Sequence, residues 1–184
     1  MRKVLVLATA ILLVGGAERS FAQTTGANAI FGDFRPGSTQ PIDVEADSLE
    51  VNEGKDQRVQ TFKGNVAVHR GDTVLKAAVI TIFSPPGDPK AGADAFNRIE
   101  ATGRVSVSSS GQTATSESAT FDSKSQTAVL SGGVVLTQGT NVLTGERLSV
   151  DLNSGVARIE QGAGGRIRGV FSPGTAGAPL PAGR

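Results

Sequence analysis

The sequence predicts an all-β protein in which pairs of antiparallel strands follow one another along the chain. A block that begins with glycine and continues with valine-type residues at alternate positions occurs three times, at Gly64, Gly103 and Gly132. Each block is followed by a polar break and a second alternating run. The copies recur about every thirty residues, as expected for one supersecondary unit used repeatedly. No segment beyond the N-terminus has the period of an amphipathic helix. Each unit is therefore expected to form two short strands and a turn.

The N-terminus has the features of an export signal. Met1-Arg2-Lys3 supplies positive charge, and the apolar run over residues 4–14 is too short to span a bilayer. Ser20 and Ala22 are small residues at the positions that a signal peptidase reads. We expect residues 1–22 to be a signal peptide that is cleaved after Ala22. An uncleaved anchor or a disordered start is the alternative. The chain has no cysteine, so neither a disulfide framework nor a lipid-modified N-terminus is expected.

The chain that remains after cleavage is almost neutral. Of the 18 basic and 17 acidic residues, cleavage removes Arg2, Lys3, Arg19 and Glu18. The remaining 15 basic and 16 acidic side chains give a net charge near −1. This balance argues against a nucleic-acid surface, which needs an excess of positive charge. We expect an exported protein with one folded domain.

Turn residues divide this domain into strands. Residues 23–39, rich in Gly, Thr and Gln, are expected to be flexible, and residues 42–45 alternate as a strand does. Leu49 and Val51 then follow with the opposite parity, which indicates a bend or bulge near residues 46–48. A loop with three prolines and two glycines is expected over residues 84–95, and a disordered tail over 172–184. The expected strands are 59–62, 65–69, 74–83, 98–102, 104–108, 112–122, 127–131, 134–138, 141–152, 156–161 and 165–171.

Alternation along these strands predicts one apolar face and one polar face. A slip of one residue would move every aliphatic side chain into water, so the register is well determined. The apolar face is either the core of a closed sandwich or a lining that accepts hydrocarbon chains, because each methylene removed from water contributes about 0.8 kcal/mol. It comprises Val66, Val68, Ile80, Ile82, Val105, Val107, Phe121, Val134, Leu136, Leu148 and Val150.

The polar residues do not form a recognisable catalytic or metal site. His69 is the single histidine and cysteine is absent, so a Cys–His pair or a histidine-based zinc site cannot be built. Asp122 and Asp151 occupy the same position of the repeat, each directly before a turn, where aspartate caps or turns the chain. A pair of catalytic carboxylates is the alternative for these two residues. We therefore expect neither an enzyme nor a cofactor.

Two runs resemble the OstA-like family of lipopolysaccharide transport proteins. These are QPIDVEADSLEV over residues 40–51 and TFKGNVAV over residues 61–68. The family's recurring block is present as Phe62-Lys-Gly-Asn-Val and again as Leu130-Ser-Gly-Gly-Val. The resemblance covers residues 40–171 and is strongest to the LptA-type branch. It implies an OstA-like domain over that range, folded as an open, twisted antiparallel β-jelly roll that is V-shaped in cross-section.

The resemblance also implies a function. Proteins of this branch carry lipopolysaccharide through the periplasm, from the inner membrane to the outer membrane, for outer-membrane assembly. The implied partners are LptC at the inner membrane, LptD at the outer membrane, and further copies joined head to tail through the sheet edges at residues 42–51 and 166–171.

The implied ligand is lipopolysaccharide, held by its lipid A acyl chains. By resemblance, Ile42 and Val44 line the groove that contacts lipid. The other candidates are Leu49, Phe62, Val66, Val68, Ile80, Ile82, Phe121, Leu136, Leu148 and Val150. The alternatives are a structural or adhesive β-repeat protein of the cell envelope with a dry core, and a domain of a larger transporter with the same fold.

Overall fold

The computed structural model describes residues 27–34, 40–87 and 96–172. These residues form one 3-10 helix, Ala27–Phe34, and ten strands in a single antiparallel sheet. The expected signal peptide, residues 88–95 of the expected loop and residues 173–184 of the expected tail lie outside the described residues. The strands are β1 (Asp43–Glu45), β2 (Ser48–Glu53), β3 (Arg58–Arg70), β4 (Thr73–Ser84), β5 (Arg98–Ser109), β6 (Gln112–Asp122), β7 (Thr127–Gln138), β8 (Asn141–Asp151), β9 (Ala157–Glu160) and β10 (Arg168–Val170).

Six long strands, β3 to β8, each pair with the next strand along the chain. Strands β1 and β2 both pair with β3 at one end of the sheet, and β9 and β10 both pair with β8 at the other. The all-β prediction is confirmed, but the expected division into short strands is wrong. The segments 59–62 and 65–69 are parts of the single strand β3, and β5 and β7 likewise each unite two expected strands.

The glycine of each repeated block forms a β-bulge in one of these long strands. In β5, Gly103 and Arg104 have φ angles of 81° and 51°, both in the left-handed region. From Thr102 to Val105 strand β5 advances three residues, whereas its partner β6 advances two. The extra residue bends the strand without ending its pairing, which is why the expected breaks are absent. Equivalent bulges lie at Gly64-Asn65 in β3 and at Gly132-Gly133 in β7.

The bulges align across the sheet and divide it into two facing walls. Wall A comprises residues 43–45, 66–77, 105–116, 134–145 and 168–170, and wall B comprises residues 48–63, 79–84, 98–102, 118–131 and 147–160. Side chains of both walls join one hydrophobic cluster, so the walls pack against each other. The strand order ends in β1 and β10, which leaves the sheet unclosed. The open β-jelly roll expected from the resemblance is confirmed.

We call the line of bulges between the two walls the fold line. Neighbouring strands approach each other so closely along it that glycine is required. A Cβ atom added to Gly103 would lie 2.7 Å from the Cβ of Ala78 in β4. A Cβ on Gly64 would collide with the side chain of Asp47, which lies between β1 and β2 and donates its N–H to the Gly64 carbonyl at 3.1 Å. The expected bend near residues 46–48 is therefore confirmed, and it continues the fold line into the edge of the sheet.

The 3-10 helix at the N-terminus corrects another expectation. Residues 23–39 are expected to be flexible, and residues 23–26 and 35–39 lie outside the described residues. Ala27–Phe34, however, is helical, and its side chains Ile30, Phe31 and Phe34 are 0%, 6% and 4% exposed. The Gly, Thr and Gln content around them conceals this short apolar group. The group is ordered because it buries its surface against the sheet, a tertiary contact that composition does not show.

Candidate functional site

The space between walls A and B is lined almost entirely by apolar side chains. The 3-10 helix lies in this space, beside β4, β5, β6 and β8. A small cavity of about 30 Å³ remains between the helix and the two walls. It is lined by Phe31 and Phe34 of the helix, Leu75 and Val107 of wall A, and Ile99, Ala101, Ala119, Thr120 and Phe121 of wall B. We call this space the groove.

The structure brings together eleven of the twelve residues that the sequence suggested for lipid contact. Seven are buried in the hydrophobic cluster, namely Val66, Val68, Ile80, Phe121, Leu136, Leu148 and Val150. Four are partly buried and pack against it, namely Ile42, Val44, Phe62 and Ile82. The twelfth, Leu49, is 52% exposed on the edge strand β2. Because Leu49 pairs directly with Phe62, it faces the same side of the sheet as the groove.

Sequence reasoning missed several groove residues because the alternation changes phase at the fold line. In β4, Leu75 and Ala77 are buried before the fold line and Ile80 after it, so the inward positions change from odd to even. If the same alternation is assumed along the whole of β4, with Ile80 facing inward, Leu75 is assigned to the polar face. The signal was present in the sequence, since β4 carries apolar residues in both phases.

Exposed apolar side chains concentrate at the two ends of the sheet. Among the described residues, the large hydrophobic side chains that are exposed all lie on edge strands or directly beside them. Leu49 and Val51 belong to β2, and the others, Val156, Ile167, Val170 and Phe171, lie between residues 156 and 171. Exposed apolar surface on an unpaired strand is characteristic of a site where another chain adds.

The two ends also carry opposite charges. Asp43 and Glu45 of β1 are exposed, and both alternate with the half-buried Val44. At the other end, Arg168 of β10 and the nearby Arg166 are exposed. Wall A therefore ends in an acidic strand on one side and a basic strand on the other.

The repeated aspartates have structural roles, as the sequence suggested. The Asp122 carboxylate accepts hydrogen bonds from the Ser125 backbone N–H (2.7 Å) and hydroxyl (2.9 Å). The Asp151 carboxylate accepts from the N–H groups of Asn153 (2.9 Å) and Ser154 (3.0 Å). These donors lower the pKa of both carboxyl groups below the ordinary value. Both side chains therefore hold turns.

A metal-ligand cluster and a membrane-spanning helix are both absent from the part of the chain that the structure describes. Three or more His, Cys, Asp or Glu side chains do not come together there in a way that could hold a metal ion. The same part has no helix of the length and apolar character needed to cross a membrane.

Comparison with known proteins assigns the chain to a family. Residues 43–156 match the family model described as LptA/(LptD N-terminal domain) LPS transport protein. The chain belongs to this family. An uncharacterized protein of Rhizobium meliloti (strain 1021) is 34% identical over 160 residues, which cover 85% of this chain and 83% of that protein. This LptA/LptD-family member is thus a lipopolysaccharide transport protein by family.

A solved structure supports the fold of this LptA/LptD-family member. The crystal structure of LptH from Pseudomonas aeruginosa superimposes with a TM-score of 0.57 at 21% identity, covering 73% of this chain and 96% of that chain. LptH is described as the LptA-homologous periplasmic component of the conserved lipopolysaccharide transport device. At this identity the similarity concerns the fold, and it agrees with the open, two-walled sheet described above.

Proposed function

We propose that this protein is a periplasmic bridge that carries lipopolysaccharide from the inner membrane to the outer membrane. The observation that carries the proposal is an apolar groove between two walls of an unclosed sheet, with exposed apolar side chains at both ends. A twelve-carbon acyl chain that enters such a groove gains on the order of 9 kcal/mol from burial of its methylenes. The sugars of the same molecule can stay in water.

The edge strands support head-to-tail assembly. Each end of the sheet offers one short strand to each wall, β1 and β10 to wall A and β2 and β9 to wall B. If β1 of one copy pairs with β10 of the next, and β2 with β9, both walls continue across the junction. Backbone hydrogen bonds then join the copies, as in other cases of strand addition.

Charge and apolar surface favour the same junction. The carboxylates of Asp43 and Glu45 would approach Arg168, while Leu49 and Val51 would approach the half-buried Ile159 of β9. The apolar lining would thus continue from one copy to the next. In this proposal, LptC at the inner membrane and LptD at the outer membrane join the two ends of the bridge through the same kind of pairing.

Photo-crosslinking in living cells tests this function. A photoreactive amino acid at Ile42 faces the hydrophobic cluster, whereas one at His69 does not. His69 is nonetheless close to Ile42 along the sheet, because it pairs with Asp43, the residue that follows Ile42. The two positions therefore compare opposite faces at the same level of the sheet. The proposal predicts a lipopolysaccharide adduct at Ile42 and none at His69.

The alternative function is a structural or adhesive β-repeat protein with a dry core. It is favoured by side chains such as Ile80 and Leu148, which are 0% exposed and leave no surface for a ligand in this state. A protein that is folded and exported but gives no adduct at Ile42 would establish this alternative. Equal adducts at Ile42 and His69 would show contact with lipid over the whole surface and would also contradict the groove.

A further inference from the structure

The 3-10 helix occupies a part of the groove that is lined by apolar side chains of both walls. Ile30, Phe31 and Phe34 are almost fully buried, and Phe31 and Phe34 face the same cavity as Val107 and Phe121. The side chains of these three residues consist of hydrocarbon only. They fill space with the same chemistry as an acyl chain, so helix and lipid cannot occupy this part of the groove together.

A small polar contact fastens the helix to the sheet. The Asp33 carboxylate accepts hydrogen bonds from the Asp72 backbone N–H at 3.0 Å and from the Thr73 hydroxyl at 2.9 Å. Asp72 lies in the turn between β3 and β4, where Gly71 has a φ of 56°, and Thr73 is the first residue of β4. A Cβ on Gly71 would lie 2.9 Å from Asp33 Cγ, so glycine lets the carboxylate sit against this turn. We call this contact the Asp33 latch.

The helix itself contributes little to holding this position. It is a 3-10 helix, whose hydrogen-bond geometry is poorer than that of an α-helix and which is short-lived without tertiary support. Among the contacts that the structure describes, its attachment depends on the burial of Ile30, Phe31 and Phe34, on the latch, and on a hydrogen bond of 3.4 Å from the Thr73 hydroxyl to the Ile30 carbonyl. Removal of the helix would expose apolar side chains of both walls, including Leu75 and Phe121, to water or to a ligand.

We propose that Ala27–Phe34 is a displaceable plug that fills the groove when lipid is absent and leaves when acyl chains enter. The proposal rests on the proposed function and adds a regulated step to it. The plug covers apolar surface that would otherwise make an empty protein aggregate. Because lipid binds only to unplugged molecules, the apparent affinity is the intrinsic affinity multiplied by the fraction of molecules that are unplugged. The Asp33 latch sets that fraction.

A reversible covalent lock tests the plug directly. The chain has no cysteine, so the double variant Asp33→Cys/Gly71→Cys can form only one internal disulfide. The 2.9 Å between a Gly71 Cβ and Asp33 Cγ leaves the two Cβ atoms near the ~3.8 Å that a disulfide needs. Binding of fluorescently labelled lipopolysaccharide is measured for the oxidised and the reduced protein. The two single-cysteine variants, treated in the same way, control for oxidation itself.

We expect the oxidised double variant to bind lipopolysaccharide at least tenfold more weakly than the same protein after reduction. Equal affinities in the two states would overturn the plug while leaving the proposed function intact. Absence of lipopolysaccharide binding in the wild-type protein as well would overturn both. These outcomes separate the two proposals.

A second variant keeps the test decisive if the double variant does not fold. Asp33→Ala removes the latch but leaves the groove walls unchanged, and we expect it to bind labelled lipopolysaccharide roughly three- to tenfold more tightly than wild type. Asp56→Ala, an equivalent change in the exposed turn between β2 and β3, is the control and should have no effect. Unchanged or weaker binding by Asp33→Ala would contradict the plug.

Discussion

The fold line between the two walls gives a quantitative prediction for Gly103→Ala. Two separate costs arise at this position. Alanine at a φ of 81° is disfavoured by about 1–2 kcal/mol relative to its usual conformations. The new Cβ would also lie 2.7 Å from the Cβ of Ala78, and relieving such overpacking costs about 1–3 kcal/mol. The free energy of unfolding should therefore fall by roughly 2–5 kcal/mol.

A matched glycine separates the two costs. Gly111, in the turn between β5 and β6, has a similar φ of 76° but no atom within 4 Å of its Cβ position. Gly111→Ala should therefore cost only the conformational part, about 1–2 kcal/mol. Adding Ala78→Gly to Gly103→Ala removes the Cβ of residue 78, which the new Cβ at residue 103 would otherwise overlap. The double variant should recover about 1–3 kcal/mol, less the roughly 0.5–1 kcal/mol that glycine costs in a strand.

Urea unfolding followed by far-ultraviolet circular dichroism measures these differences. The slope of unfolding free energy against urea should stay constant if all variants unfold from the same compact state. Equal losses for Gly103→Ala and Gly111→Ala would refute the reasoning, because contact between the strands would then contribute nothing. Failure of Ala78→Gly to restore stability would refute it independently.

Three further predictions concern the core, a turn and the groove. Leu148→Ala should lower the free energy of unfolding by about 2–5 kcal/mol, measured by urea titration, because Leu148 is fully buried between the walls. Asp122→Ala should lower Tm at neutral pH, and the difference from wild type should shrink as the pH falls below the ordinary carboxyl pKa of 3.8 and be lost as the pH falls through the lower pKa of the folded state. The reason is that the Ser125 donors lower the pKa of Asp122 in the folded state, so its stabilising effect is present above that value and is lost on protonation. Val44→Asp should abolish lipopolysaccharide export because it places an unpaired charge on an apolar lining, and normal export in this variant would contradict the groove.

The sequence predicted the features of this fold that depend on local pattern. Alternation identified the inward face correctly at Val66, Val107 and Leu148. The reason is that the pleat of a strand turns every second side chain to the same face, so that apolar residues at alternate positions mark the buried face. The expected strand ends at Gly64 and Gly103 were wrong. A bulge and a turn have the same local signature, a glycine followed by a residue that tolerates positive φ, and only the pairing of neighbouring strands distinguishes them.

The features that the sequence did not predict depend on contacts between distant segments. Phe31 and Phe34 lie in a short run with Gly and Asp, and nothing local shows that a groove built from residues 66–152 will bury them. Leu75 was missed for a related reason, since the phase change in β4 compensates for the bulges in β3 and β5. Both are properties of the assembled walls.

The burial gradient across the candidate residues bears on how a lipid could be carried. Ile80 and Leu148, at the centre of the walls, are fully covered, whereas Ile42, Val44 and Phe62, near the edge formed by β1 and β2, keep part of their surface exposed. A hydrocarbon chain that arrives from a neighbouring copy would meet these edge residues first, without any rearrangement. Contact with the central residues requires the walls to separate or the helix to leave. Under the proposed function the edge residues therefore receive the lipid, and the central ones contact it only after the groove has opened, which is why an adduct at Ile42 is the more sensitive indicator of transport.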